Sequence, residues 1–209
     1  MPSREAPRVT RLEVALQRVA EDLRASGQRF ALVGGVAMSV RAAARFTRDV
    51  DWVVAVADDA KAETVVREFF ARGYRLLAQV EQEEADRLLT VRFLAPSQDG
   101  AAVVVDFLFA ACGIEDEVVR DAEAIEVQPG VVVPVARREH LIAMKLLARD
   151  DVRRPQDHGD LIALLARADP AEIGRAEAAV RLIEARGFAQ GKDLVGALRA
   201  LVAAHRPAR

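Results

Sequence analysis

The sequence predicts an α+β protein, in which a mixed sheet with helices is followed by a C-terminal helical bundle. Short apolar runs, such as residues 30–33 and 101–109, alternate with turn signals and helical segments through about residue 135. From Arg137 onward, apolar residues recur at helical spacing. Residues 97–100 read Ser-Gln-Asp-Gly, which is typical of a turn between antiparallel strands.

The N-terminal elements follow from apolar spacing and from residues that begin or end helices. Residues 9–26 are predicted to form an amphipathic helix that Gly27 ends. Buried strands are expected at 30–33 and 49–56, with a short helix at about 36–44 between them. Asp58-Asp59 opens a further helix, for which Gly73 is a plausible end.

The middle of the chain is rich in β-forming residues. Strands are expected at 74–80, at 88–94, at 101–109 and as two short edge strands within 125–135, around Pro129-Gly130. The runs 88–94 and 101–109 are predicted to form an antiparallel hairpin.

The C-terminal part is predicted to be helical. One helix is expected around residues 141–147, and a polar loop at 149–155 follows it. Further helices are expected at 156–168, 170–186 and 191–205. Asp169 fits a helix N-cap, with Pro170 at the first helical position. We therefore expect a core at 1–135 and a helical region at 136–209.

The composition is that of a globular protein, with 52% hydrophobic and 30% charged residues. No apolar stretch reaches the roughly 18 residues that span a membrane. The N-terminus lacks the apolar core of a signal peptide, and Cys112 is the only cysteine. These features predict a cytoplasmic protein. The net charge of −2 means that any contact with nucleic acid must use a local basic patch.

Two acids at the start of the second predicted strand are candidate metal ligands. Side chains alternate along a strand, so Asp49 and Asp51 project from the same face. Two carboxylates this close repel each other unless a cation lies between them. Magnesium is often held by one or two carboxylates together with substrate phosphates.

Gly34 and Gly35 end the first predicted strand, just before the short helix. Because they lack Cβ, the backbone can approach a ligand closely there. The start of the following helix offers free N–H groups and the positive end of its dipole, which suit a phosphate. A phosphate cradle beside a magnesium carboxylate pair can support transfer of a nucleotidyl group from a triphosphate.

This pattern of Gly-Gly, a short helix and Arg-x-Thr-x-Asp-x-Asp at 45–51 resembles the nucleotidyltransferases of the DNA polymerase β superfamily. Within it, the pattern is similar to the AbiEii-like toxins of toxin–antitoxin and abortive-infection systems. The resemblance covers about residues 28–165 and implies a polymerase-β-type mixed sheet as the nucleotidyltransferase core. It also implies a third acid on a neighbouring strand, for which Asp106 stands in an apolar run. A later lysine and acids are matched by Lys145 and by Asp157 and Asp160.

The resemblance implies that Asp49, Asp51 and Asp106 bind two Mg²⁺ ions and that a nucleoside triphosphate is the substrate. Asp106 is also expected to receive the acceptor proton. Lys145 is expected to neutralise phosphate charge, and Asp160 to support the site.

Gly34 and Gly35 are expected to position the triphosphate. Arg45 is expected to contact it or to pair with the acids, and Arg48 is the weaker candidate because it points away from them. Thr47 either bonds a phosphate or fills β-structure.

The candidate site residues in the C-terminal part also have purely structural interpretations. Lys145 could be a surface lysine with a buried stem. Asp157 and Asp160 could pair with Arg153 or Arg154, and the role of Asp157 stays open because proline and glutamine separate it from the nearest arginine.

The acceptor cannot be read from the catalytic core. The resemblance favours the tRNA 3′ end and implies a cognate antitoxin as a partner. A protein and a small molecule of the aminoglycoside type are the other acceptors considered. Two non-catalytic functions are also considered. One is a nucleotide-binding regulator without turnover, and the other is a domain that uses its helical C-terminus for protein contacts.

Overall fold

A computed structural model describes residues 10–82, 87–97, 101–150 and 155–205. The strands are β1 Arg29–Val33, β2 Asp49–Ala55, β3 Arg75–Gln82, β4 Arg87–Leu94, β5 Val104–Leu108, β6 Glu123–Gln128 and β7 Val131–Val135. The helices are α1 Arg11–Ala25, α2 Gly34–Arg41, α3 Asp59–Ala71, α4 Glu115–Arg120, α5 Arg138–Ala148, α6 Pro155–Arg167, α7 Pro170–Ala185 and α8 Leu194–His205.

The strands form one seven-stranded mixed sheet in the order β3-β4-β5-β2-β1-β7-β6. The central strand β2 runs antiparallel to β1 and parallel to β5. The hairpin predicted from the sequence is present, since β4 and β5 are antiparallel neighbours. Of its predicted turn at 97–100, residues 98–100 lie outside the described residues. The α+β class predicted from the sequence is confirmed.

Two edge strands are predicted within 125–135, and the prediction is confirmed for one of them and wrong for the other. β6 is an edge strand, but β7 lies between β6 and β1 and pairs with β1 in parallel. The side chains of Val131, Val133 and Val135 are buried. The backbone of β7 pairs with β1 on one side and with β6 on the other, so β7 is an interior strand.

Helix α2 begins earlier than predicted. It starts at Gly34 and ends at Arg41, instead of covering about 36–44. Helix α4 was not predicted at all. It has only 6 residues, and its N-cap Ile114 makes no side-chain capping bond, so the usual start signal is absent.

Other helix ends follow the predicted chemistry. Asp58 caps α3 by accepting a bond from the N–H of Lys61, at 2.8 Å. Gly73, with φ +88°, follows the end of that helix. Asp169 caps α7 by accepting a bond from the N–H of Glu172, at 2.7 Å. These ends are encoded by neighbouring residues, which is why the sequence predicts them.

The two faces of the sheet have different roles. Phe69 of α3 packs edge-on against Phe107, with ring centroids 4.7 Å apart, and also contacts Phe93. Arg92 and Asp106, which alternate with these rings along β4 and β5, therefore project from the opposite face. The fold thus places an apolar core under one face and a row of charged side chains on the other.

Helices α5–α8 follow β7 and pack mainly against one another. Buried leucines and isoleucines of α5, α6 and α7, such as Leu141, Leu161 and Ile183, contribute to this packing. Arg175 of α7 donates a hydrogen bond to the buried Glu139 of α5, at 2.7 Å. A helical region after residue 135 agrees with the predicted boundary, while its status as a separate domain stays a prediction.

Candidate active site

Three carboxylates converge on one face of the central strands. Asp49 and Asp51 lie at the start of β2, two positions apart, so both project from that face. Asp106 lies on β5, directly opposite Asp51 in the parallel register. One carboxylate oxygen from each acid lies within 4.8 Å of the other two. The structure brings together the three acids that the sequence singles out as metal ligands.

The environment of Asp51 disfavours its charged form. Its pKa rises from 3.8 to about 7, first because burial disfavours the charged form and then because Asp49 and Asp106 repel it. A hydrogen bond from the backbone N–H of Gly35 and the nearby charge of Lys145 act in the opposite direction. A divalent cation would offset the repulsion, and three carboxylates are suitable hard ligands for it.

Arg92 contacts the cluster directly and was not predicted from the sequence. It lies on β4 opposite Asp106. Its Nε donates to Oδ1 of Asp106 at 2.7 Å, and its Nη2 donates to Oδ2 at 2.6 Å. This two-point contact raises the pKa of Arg92. The predicted hairpin places the strand of Arg92 beside that of Asp106, but it does not specify which residues of the two strands face each other.

Gly34 and Gly35 make room for the side chains of the site itself. Gly34 has φ +63°, and a Cβ atom there would lie 1.7 Å from Oδ2 of Asp51. A Cβ atom at Gly35 would lie 2.6 Å from the hydroxyl of Thr47. Both positions therefore exclude larger residues, while contact of these glycines with a triphosphate stays a prediction.

The loop before β2 supports the acids and leaves one donor free. Thr47 donates its hydroxyl proton to Oδ1 of Asp49, at 2.6 Å. Arg45 donates from Nη1 to Oδ2 of Asp160, at 2.6 Å. Among the described residues, the buried Nε of Arg45 has no hydrogen-bond partner. Because it lies beside Gly35, this donor suits a phosphate oxygen.

Lys145 is held among acids from α6. Its Nζ donates to Oδ1 of Asp157 at 2.7 Å and lies 2.9 Å from Oδ2 of Asp160. The side chain of Lys145 is only 15% exposed, so the surface-lysine alternative is wrong. Asp157, left open by the sequence, is buried next to the predicted site. The alternative partners at 153 and 154 lie outside the described residues.

The sequence profile of a family described as "Nucleotidyl transferase AbiEii toxin, Type IV TA system" matches residues 16–207. The chain belongs to the AbiEii family. It is therefore a nucleotidyltransferase, as the resemblance of its motifs implied. A search of curated proteins finds no match to this AbiEii-family chain.

Several solved structures align with the AbiEii-family chain. An antigenic nucleotidyltransferase-like protein from Paracoccidioides brasiliensis aligns with a TM-score of 0.53 at 19% identity, over 91% of this chain and 93% of that chain. The lincomycin-bound lincosamide antibiotic adenylyltransferase LnuA aligns at 0.48 and 13% identity, over 75% of this chain and 98% of that chain. ANT(2'')-Ia in complex with adenylyl-2''-tobramycin aligns at 0.46 and 18% identity, over 92% and 98%. The first of these alignments confirms the nucleotidyltransferase fold.

The AbiEii-family site also has an exposed aromatic residue that was not predicted. Phe46 is 80% exposed, and the guanidinium carbon of Arg48 lies 5.5 Å from the centre of its ring. Its chain neighbours Arg45 and Thr47 are both anchored at the site. An apolar residue between two arginines in the motif loop was the available signal.

Two remaining features of the AbiEii-family enzyme lie apart from the acids. Cys112 is buried, and burial raises the pKa of its thiol, so it is an ordinary core residue. Across the described part of the chain, none of the helices combines the length and the apolar character that crossing a bilayer requires.

Proposed function

We propose that this AbiEii-family enzyme is Mg²⁺-dependent and transfers a nucleoside monophosphate from a nucleoside triphosphate to a macromolecular hydroxyl. The observation that supports this best is the convergence of Asp49, Asp51 and Asp106, with oxygens within 4.8 Å of one another. Hard oxygen donors are the ligands that Mg²⁺ prefers. The raised pKa of Asp51 supports the same view, because burial and then repulsion by Asp49 and Asp106 disfavour its charged form when no cation is bound.

Asp49 and Asp51 would hold two magnesium ions, and Asp106 would share one of them. Bound magnesium supplies positive charge for the triphosphate and lowers the pKa of the acceptor hydroxyl. Asp106 accepts the proton of that hydroxyl as its oxygen forms a bond to the α-phosphorus. The bond between the α-phosphorus and the bridging oxygen breaks, and pyrophosphate leaves with the electron pair.

The phosphate chain lies, in this proposal, beside the start of α2. Gly34 and Gly35 allow a close approach, and the unpaired Nε of Arg45 donates to a phosphate oxygen. Thr47 holds Asp49 in place through its hydroxyl. Lys145, oriented by Asp160, stabilises the leaving pyrophosphate.

We favour an RNA 3′ end, such as that of tRNA, as the acceptor. Phe46 and Arg48 offer an exposed ring and an adjacent cation, a combination on which unpaired bases stack. The net charge of −2 is compatible with this choice, because a local patch of this kind suffices. As a member of a toxin family, the enzyme is also expected to have a cognate antitoxin.

A labelling experiment tests the reaction. The protein is incubated with each α-³²P-labelled nucleoside triphosphate, MgCl₂ and either total RNA or a cell lysate. We expect label on small RNA, with loss of the signal in Asp51→Asn and no loss in Asp116→Asn, which removes an exposed carboxylate of α4. Label on protein, or on an added aminoglycoside, would identify that molecule as the acceptor instead of RNA. Binding of Mg²⁺ and nucleotide without any transfer would identify a non-catalytic regulator.

A second variant pair tests the acceptor. Phe46→Ala is expected to raise KM for RNA about tenfold, since stacking on an aromatic residue contributes about 1–3 kcal/mol per base. Phe70→Ala is the matched control, because Phe70 is also exposed but packs with Phe93 on the face opposite the acids. An increase in KM for the triphosphate instead would assign Phe46 to the incoming nucleotide. Equal effects of the two variants would contradict a stacking role.

A further inference from the structure

Both oxygens of the Asp106 carboxylate are already engaged within the protein. Nε and Nη2 of Arg92 donate to Oδ1 and Oδ2, at 2.7 and 2.6 Å. The side chain of Asp106 is only 8% exposed, so few other partners can reach it. A carboxylate has about four lone-pair positions, and a two-point contact with arginine uses two of them.

The contact with Arg92 conflicts with the role proposed for Asp106. A metal ion on Asp106 would lie close to the guanidinium, and the two positive charges would repel each other. The Arg92 side chain is 44% exposed, so its guanidinium has room to move towards solvent. Asp106 is fixed by contrast, because its strand β5 is paired on both sides. If one of the two groups moves when a metal ion binds, it is Arg92.

Lys145 cannot take the place of Arg92 at this carboxylate without giving up other contacts. Its Nζ is held by Asp157 at 2.7 Å and by Asp160 at 2.9 Å. Arg92 is thus the cation that pairs with the acid cluster across the sheet, and its field also reaches Asp49 and Asp51.

We propose that Arg92 is a positioning residue that occupies Asp106 in the metal-free enzyme and competes there with a divalent ion. The inference rests on the proposed metal-dependent function of the same acids. Arg92 holds the Asp106 carboxylate on the same face of the sheet as Asp49 and Asp51. It also balances the charge of Asp106 until metal and substrate arrive. Once displaced, its guanidinium is available to an anionic group of the substrate. Completion of the metal site is thereby linked to movement of one arginine.

The test measures binding of Mn²⁺, a paramagnetic substitute for Mg²⁺, to the full chain by electron paramagnetic resonance. Arg92→Gln removes the competing charge, so we expect the ion that depends on Asp106 to bind about tenfold or more tightly. Arg67→Gln is the matched control, because it removes the same charge from an exposed arginine of α3. The control is expected to bind Mn²⁺ as the wild type does. Unchanged or weaker binding by Arg92→Gln would overturn the proposal.

Two further variants keep the test decisive if Arg92→Gln folds poorly. Arg92→Lys retains the charge but loses the two-point contact, and its affinity is expected to lie between those of wild type and Arg92→Gln. In an Asp106→Asn background, Arg92→Gln is expected to have a much smaller effect on Mn²⁺ binding, because Arg92 acts mainly through Asp106 and only its longer-range field reaches Asp49 and Asp51. An equal effect in both backgrounds would show that Arg92 acts elsewhere.

One additional variant separates this proposal from the proposed function. Asp51→Asn must weaken Mn²⁺ binding if the three acids form a metal site at all. If it does not, the proposed metal-dependent function fails and the present inference fails with it. If it does, while Arg92→Gln fails to tighten binding, only the inference about Arg92 is overturned.

Discussion

Replacing Asp51 with asparagine is expected to stabilise the metal-free protein while abolishing its response to Mg²⁺. Asn has nearly the same shape as Asp, and its oxygen can still accept the hydrogen bond from the N–H of Gly35. The substitution removes one of three negative charges that crowd one face of the sheet. The charge is needed only when a cation is bound, so in the absence of metal its removal relieves the cost of burying it and the repulsion by Asp49 and Asp106.

The magnitude follows from the pKa of Asp51, which is raised from 3.8 to about 7. A group with a raised pKa in the folded state contributes stability that is present below its unfolded pKa and is lost as the pH rises through the folded pKa. Each pH unit of difference corresponds to about 1.4 kcal/mol, which sets an upper limit of about 4 kcal/mol above pH 7. The side chain of Asp51 is partly accessible to water, which reduces both the cost of burying its charge and the repulsion by its neighbours, so we expect about 2 kcal/mol.

Thermal denaturation followed by circular dichroism measures this effect. In EDTA at about pH 8, Asp51→Asn is expected to melt about 4–8 °C above the wild type. The difference should shrink as the pH is lowered to about 5, since the wild-type carboxyl then takes up a proton. Saturating MgCl₂ should raise the melting temperature of the wild type but not that of the variant.

Asp116→Asn is a suitable control for the Asp51 variant, since it removes a carboxylate that is 68% exposed. It should leave both the melting temperature and the response to MgCl₂ unchanged. The reasoning is refuted if Asp51→Asn melts below the wild type in EDTA at about pH 8. An equal stabilisation of wild type and variant by MgCl₂ would also refute it.

Three other substitutions have defined outcomes. Gly34→Ala should destabilise the protein by about 2 kcal/mol more than Gly130→Ala in urea denaturation, because both glycines have positive φ but only Gly34 lacks room for a Cβ atom. Lys145→Met should cost about 3 kcal/mol in the same assay, because it removes the cation that contacts the buried Asp157, whereas Asp160 keeps Arg45 and the exposed Lys61→Met should change little. Burial lowers the pKa of His140 below 6.5, so its contribution to stability is present above that pH and is lost as the pH falls. In thermal melts between about pH 7 and pH 5, His140→Gln should lessen this loss of stability. A steeper loss of stability in the variant would contradict the role given to His140.

Features that depend on neighbouring residues could be predicted from the sequence. Alternation along a strand places Asp49 and Asp51 on one face whatever the rest of the fold does. Asp58 and Asp169 cap helices through bonds to residues three positions later. The same local logic failed for α4, because Ile114 provides no side-chain acceptor at its start.

Features that depend on register between distant segments could not be predicted. The pairing of Arg92 with Asp106 requires the alignment of β4 with β5, and the turn motif at 97–100 does not set it alone. The residues between the two strands include 95–97 and 101–103, so the connection is longer than a tight turn. A shift of one position would move Arg92 to the opposite face and replace it with an apolar neighbour.

The sequence by itself determined the α+β class, the paired acids of β2 and the family to which the chain belongs, because each depends on short motifs read along the chain. Only the tertiary structure decided that Lys145 binds Asp157 and Asp160, that β7 lies inside the sheet, and that Arg92 occupies Asp106. Such contacts join residues far apart in sequence. Their geometry is set by how strands align and helices pack, and local side-chain chemistry does not specify that alignment.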